Sequence, residues 1–126
     1  MLNRQSYQVN TDTGTWSRVG PSFMGGVMQI GWSPSTGDTG GDLAISLLPA
    51  GDGDTGAGWV IYDNNDCLGA DFLQSLTKSA VHANGSDTGS GGAQVPVVSA
   101  GDRLKVKVTP GGAAVVGTLN IWTYEG

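Results

Sequence analysis

The sequence predicts an all-β fold: a single-domain antiparallel β-sandwich, jelly-roll-like, of about seven or eight strands with an extended N-terminal arm. Three observations lead there. Charged residues make up only 13% of the chain while glycine supplies 22 of 126 residues, which disfavours helix and favours tight turns. Apolar residues recur with period two in several separate runs. Connectors rich in Gly, Asp, Ser and Thr at 33–42, 50–57 and 84–92 punctuate those runs. A chain of 126 residues is one domain's worth and buries roughly two-thirds of its unfolded surface without needing staples. The polar stretch 1–19 reads as an arm or first strands, and 20–126 as the sandwich domain.

Within the arm, Gln5–Val9 and Trp16–Val19 are short strand candidates. Next, Gly26–Trp32 alternates Met28, Ile30 and Trp32 against Val27, Gln29 and Gly31, which places Trp32 in the core. Asp42–Leu48 puts Leu43, Ile45 and Leu47 on one face. Gly58–Asp63 is apolar on both faces, as expected of a central strand, so Trp59 is assigned to the core as well. Leu68–His82 is ambiguous: Leu68, Phe72, Leu73, Leu76 and Ala80 approximate a helical face of one or two turns, and a short strand is the alternative. Ala93–Val98 contains Pro96, which assigns it to an edge strand or a strand start. The plainest strand has Leu104, Val106 and Val108 on one face and Arg103, Lys105 and Lys107 on the other. Pro110-Gly111-Gly112 then signals a turn into Val115–Tyr124, and the two runs read as a hairpin.

The net charge of -5 disfavours nucleic acid, which needs a basic face, and disfavours an anionic membrane surface for the same reason. Apolar runs are too short for a spanning helix. The start MLNRQSYQVN has no apolar stretch of the secretory kind, so a protein made and used without export is expected. Cys67 is the one cysteine, which rules out an intrachain disulfide and reads as a small buried hydrophobe.

Asp-Thr-Gly, the active-site triplet of aspartic proteases, occurs four times, beginning at Asp12, Asp38, Asp54 and Asp87. A protease needs two such carboxylates buried together and sharing a proton. Here the preceding residues are Thr11, Gly37, Gly53 and Ser86, so each triplet lies in a polar, glycine-dense connector. Turn chemistry is the simpler reading: Asp accepts a backbone N–H two residues on, and Gly accepts positive φ. Asp38 with Asp42, Asp52 with Asp54, and the run Asp63-Asn64-Asn65-Asp66 are oxygen clusters of a kind that calcium uses, yet none has the EF-hand spacing, and solvated turns are expected instead. His82, the lone histidine, sits beside a turn at Asn84-Gly85, where Asn84-Gly85-Ser86 also fits the glycosylation sequon. No phosphate-cradling loop or paired cysteine is present. No catalytic, cofactor or metal-binding set is assigned, and the chain is not expected to be an enzyme.

What remains is aromatic placement. With Leu119 and Ile121 facing the core, Trp122 and Tyr124 project outward, an arrangement suited to a contact surface. Trp16 and Tyr7, in the arm, are further candidates for partner contact.

The runs GGDLAISLLPAGDGDTGAGWVIYDNND, FLQSLTKSAVHANG and VPVVSAGDRLKVKVTPGGAAVVGTLNIWTYEG, covering roughly residues 41–125, resemble the small jelly-roll decoration or cement proteins of tailed-bacteriophage capsids. The matching features are the AGDRLKVKV strand, the glycine turn after it and the C-terminal strand. The resemblance implies a homo-oligomer, with a trimer favoured, seated on the capsid exterior of the virion after assembly in the host cytoplasm. Its partner would be the major capsid protein, whose subunits it would bridge against internal DNA pressure. A polar arm, Leu2–Val19, that adds a strand to a neighbour fits that role. The alternative is a carbohydrate-binding β-sandwich, with Trp122, Tyr124 and Trp16 as the sugar platform and the Asp loops holding structural calcium.

Overall fold

One 21-residue strand, Trp16–Thr36, belongs to both layers of the molecule. In chain order the strands are β1 (Leu2–Asn10), β2 (Trp16–Thr36), β3 (Asp42–Leu48), β4 (Trp59–Asn64), β5 (Phe72–Ser75), β6 (Thr77–Ser79), β7 (Gln94–Thr109) and β8 (Val116–Glu125). The structure, a computed structural model, describes residues 1–12, 14–79 and 94–126. Among these there is no helix, and every pairing is antiparallel.

The sheet order is β1-β8-β2-β7-β3-β4, with β5 added on β2 and β6 on β7. The first part of β2, up to Val27, pairs with β7, and Gly25 onward pairs with β8. Register shifts fall between Val19 and Ser22, between Phe23 and Met24, and between Val27 and Gln29. Such irregularities bend a strand and let it pass from one layer of a sandwich to the other. One layer is therefore β1, β8, the second half of β2 and β5. The other is the first half of β2 with β7, β3 and β4.

The core lies between the layers. Leu104, Val106 and Val108 of β7, the alternating face expected from sequence, are fully buried, as are Leu43 and Ile45 of β3 and Leu119 and Ile121 of β8. Burying each such side chain contributes about 1.5–3 kcal/mol. Trp32 is buried as expected, its indole N–H donating to the Leu68 carbonyl at 3.2 Å.

Several expectations are corrected. β7 and β8 do not form a hairpin, because β2 lies between them, so the segment after Pro110 is a crossover. Leu68–Ser79 holds strands β5 and β6, with no helical turn, since Phe72–Ser75 finds a hydrogen-bonding partner in β2. β4 is an edge strand, which leaves Trp59 61% exposed while Ile61 and Tyr62 are buried. Met28 does not share the inner face of Ile30 and Trp32, because the irregularity at Val27–Gln29 turns it outward and Val27 inward. The arm 1–19 is extended but docked: β1 pairs with β8 from Leu2↔Tyr124 to Asn10↔Val116, and the boundary at residue 19 falls inside β2. The two chain ends lie together, with Glu125 N–H donating to the Met1 carbonyl at 2.7 Å.

The crossover is fastened by a carboxylate. Asp38 Oδ1 accepts the Gly40 N–H at 3.0 Å, the local turn expected of the triplet. Its Oδ2 accepts the N–H groups of Gly111 at 2.7 Å and Ala113 at 3.2 Å. These N–H groups, Gly40 first, hold the Asp38 carboxyl below its ordinary value.

Two outcomes follow for stability. Gly25 has φ +144°, and a Cβ there would stand 1.8 Å from the Tyr124 carbonyl oxygen. Gly25→Ala is expected to cost about 2–4 kcal/mol in urea unfolding, whereas Gly51→Ala, with open space around it, changes stability by no more than about 0.5 kcal/mol. Because the folded-state pKa of Asp38 is depressed, its contribution is complete above 3.8 and is lost as pH falls through the folded value. Asp38→Asn should thus lower the melting temperature at neutral pH, and its gap from the parent should close as the pH is taken below 3.8 in thermal scans.

Candidate docking surface

Two of the acidic triplets, those at Asp38 and Asp54, fasten connectors. Besides Asp38, Asp54 forms an ion pair with Arg103 at 2.5 Å. Arg103 also donates to the Asp52 carbonyl, and Lys105 Nζ donates to the Gly56 carbonyl at 2.8 Å. The connector 50–57 is therefore drawn across the polar face of β7. Asp42 Oδ1 accepts the N–H of Asp66, a residue at φ +56°. Asp12 stands at φ +51° and its N–H donates to Asn10 Oδ1 at 3.2 Å. Among the described residues no group of three or more His, Cys, Asp or Glu is placed to hold a metal ion. Cys67 is partly buried, and burial pushes its thiol up. His82, the Asn84-Gly85-Ser86 sequon and Asp87 lie outside the described residues.

The four aromatic residues expected at a partner interface go to three different environments. Tyr7 is in the core: its phenol donates to Gln5 Oε1 at 2.5 Å, and burial pushes its pKa up to about 12. The parity of β1 explains this, since Gln5, Tyr7 and Val9 all point inward. Trp16 is half-buried against the core, and the Arg18 guanidinium lies 5.3 Å from its ring centroid, closing the edge of the sandwich. Trp122 points outward but is half-covered, because its ring occupies the space a side chain at Gly31 would need. Tyr124 is outward and free.

Tyr124 has neighbours that the sequence reading did not assign to a surface. Leu2 of β1, Tyr124 of β8, Gly26 of β2 and Val98 of β7 are in register across four strands, which places their side chains on one face. Leu2 is 63% exposed, Tyr124 55%, Val98 64%, and the flanking Met24 and Met28 of β2 63% and 45%. This apolar row sits where β2 bends. Gly26 leaves its centre without a side chain, and a Cβ there would lie 3.9 Å from the Met28 sulfur.

The same outer face continues with little charge. On β1 it carries Arg4, Ser6 and Gln8, and on β8 Trp122, Asn120 and Thr118, so Arg4 is its one charged side chain along these two strands. Thr118 Oγ1 donates to Gln8 Oε1 at 3.1 Å, and Ser6 Oγ bonds Asn120 Oδ1. Tyr, Trp, Met and Arg with few acids is the composition of protein–protein interface cores. Five large apolar side chains exposed together on one corner are characteristic of a contact site. Gly25-Gly26 was the signal available in the sequence: a glycine pair inside a strand pattern marks a bend, beyond which the alternation changes phase.

No known protein family matches the sequence, and no curated protein matches it. Among solved structures, this chain is similar to dimeric latent PorU from Porphyromonas gingivalis, with a TM-score of 0.41 and 11% sequence identity. The match covers 99% of this chain and 13% of the length of that one.

Proposed function

We propose that this protein is a structural virion component that decorates the outer surface of a tailed-phage capsid and bridges its subunits. The observation that carries the reading is the corner row Leu2–Tyr124–Val98 with Met24 and Met28, an uncharged apolar contact surface on an otherwise acidic body. The sequence resemblance over roughly residues 41–125 supplies the class of partner, the major capsid protein. The sandwich, with its connectors fastened by Asp38, Arg103 and Lys105, is a stiff body suited to bridging. On a lattice, many modest contacts of this size add up, so no single tight site is required. A trimer is the oligomer that this reading favours.

A second reading has one observation in its favour. Trp59 is 61% exposed on edge strand β4, beside the acidic connector 50–57, and an exposed indole is what a sugar-binding sandwich presents.

Cosedimentation with capsids assembled from the major capsid protein of the same genome tests the first reading. The parent should pellet with the shells. The double variant Met24→Asp, Tyr124→Asp should lose at least about tenfold in apparent affinity while melting within a few degrees of the parent. A folded parent that does not pellet would sink the assignment. Glycan binding that survives the double variant and disappears in Trp59→Ala would transfer it to the sugar reading.

A further inference from the structure

We propose that the free edge of β1 accepts an extended peptide strand bearing a carboxylate, seated in the groove between β1 and β2. This site is separate from the corner row and does not depend on the capsid reading.

The main-chain geometry defines the edge. Glu125 N–H donates to the Met1 carbonyl and Thr11 N–H to the Val115 carbonyl at 3.0 Å, so odd-numbered residues of β1 direct their main-chain groups at β8. The main-chain groups of Leu2, Arg4, Ser6, Gln8 and Asn10 therefore face away from the sheet. Among the described residues β1 is the outermost strand of its layer; it is nine residues long with no proline and one charged residue, and prolines and charges are devices that usually protect an exposed edge. Among the described residues, the one cover on this row within the strand is Asn3 Oδ1, which accepts the Arg4 N–H at 2.9 Å and which an incoming strand would displace.

A groove of about 370 Å³ runs along this edge. One wall is the unbroken run Asn3–Tyr7, and the other is Pro21, Ser22 and Phe23 of β2. Its buried lining residues are Gln5, Tyr7 and Phe23, so the lining mixes polar and apolar groups. Pro21 has no N–H, so the β2 wall is a poor partner for a ladder, and the peptide pairs with β1. Five residues of β1 present about 17 Å of edge, the length of a short recognition strand.

Charge selects the peptide. Glu125, the acidic group of the lining, is already occupied by Asn3 Nδ2 at 2.7 Å and Thr123 Oγ1 at 3.0 Å. Among the described residues Arg4 is the one cationic side chain of the lining, and a guanidinium binds a carboxylate in a charge-assisted pair. A strand with an acidic side chain or a terminal carboxylate therefore fits.

Hydrogen exchange of the full chain, read amide by amide by NMR, tests this with two probes. One is an N-acetylated peptide of alternating threonine and valine ending in aspartate, and the other its amidated asparagine counterpart. On adding the first, exchange of the Arg4 and Ser6 amides should slow at least about tenfold, while Gln5 and Tyr7, already in the ladder, stay unchanged. Ser6→Pro removes an edge donor and should abolish binding, and Ser6→Ala, which keeps it, should bind like the parent. Arg4→Gln should weaken the aspartate peptide about tenfold and leave the asparagine peptide unaffected. Should Ser6→Pro fail to fold, the period-two protection and Arg4→Gln still decide the matter. Absence of protection, protection without the two-residue period, or protection that grows with protein concentration in the absence of peptide would overturn the proposal; the last would mean that a second copy fills the edge.

Discussion

Everything in this fold hangs on the continuity of β2 through its bend. A strand that pairs with β7 in one layer and β8 in the other ties the layers covalently and fixes their relative position. The bend is possible because Gly25 adopts φ +144° where the Tyr124 carbonyl leaves no room for a side chain. The same bend carries side chains on the face away from the core, which among the described residues the second layer does not cover. Apolar side chains placed there stay in water unless another molecule covers them. The constraint that closes the core is thus also what leaves Met24, Met28, Val98 and Tyr124 outside it.

Charge is used in a complementary way. Three acids of the connectors act within the molecule: Asp38 and Asp42 receive backbone N–H groups, and Asp54 receives the guanidinium of Arg103. These are inexpensive fasteners, since a partly solvated carboxylate stays ionised and satisfied. The outer face of β1 and β8 carries amides, hydroxyls, aromatics and Arg4. Such a surface does not repel a neighbouring copy, whereas two acidic connectors repel each other.

How much of this was legible in the sequence depended on whether a strand kept its phase. The second half of β7 and β8 alternate without interruption, and β3 does so as far as Ile45, beyond which Ser46, Leu47 and Leu48 are all buried; Leu43, Ile45, Leu104, Val106, Leu119 and Ile121 fall where period two places them. β2 does not keep phase. The irregularities around Gly25 and Met28 invert the alternation, so Met28 was expected inside and Val27 outside, the reverse of what packing produces. The hairpin between β7 and β8 misled for another reason: a Pro-Gly-Gly turn reports a change of direction but not which strand lies beyond it. Asp38 was legible as a turn residue, yet its grip on Gly111 and Ala113, seventy-odd residues away, has no local signature. Of the candidate site, Tyr124 was readable from parity alone, while Tyr7 was misplaced because a polar neighbourhood hid the inward set of Gln5, Tyr7 and Val9. The corner row could not be read at all, since Leu2, Val98 and Tyr124 come from three distant stretches aligned only by strand pairing.

The meeting of the two chain ends carries a geometric consequence. Met1 and Glu125 are joined across one rung of a ladder, beside Leu2 and Tyr124. Any tag, tether or fusion leaves the body at that single exit, like two ropes through one port, and shades the corner whichever terminus carries it. Labels meant to spare the corner belong instead in the connector 50–57, where Gly51 and Gly53 stand in open space.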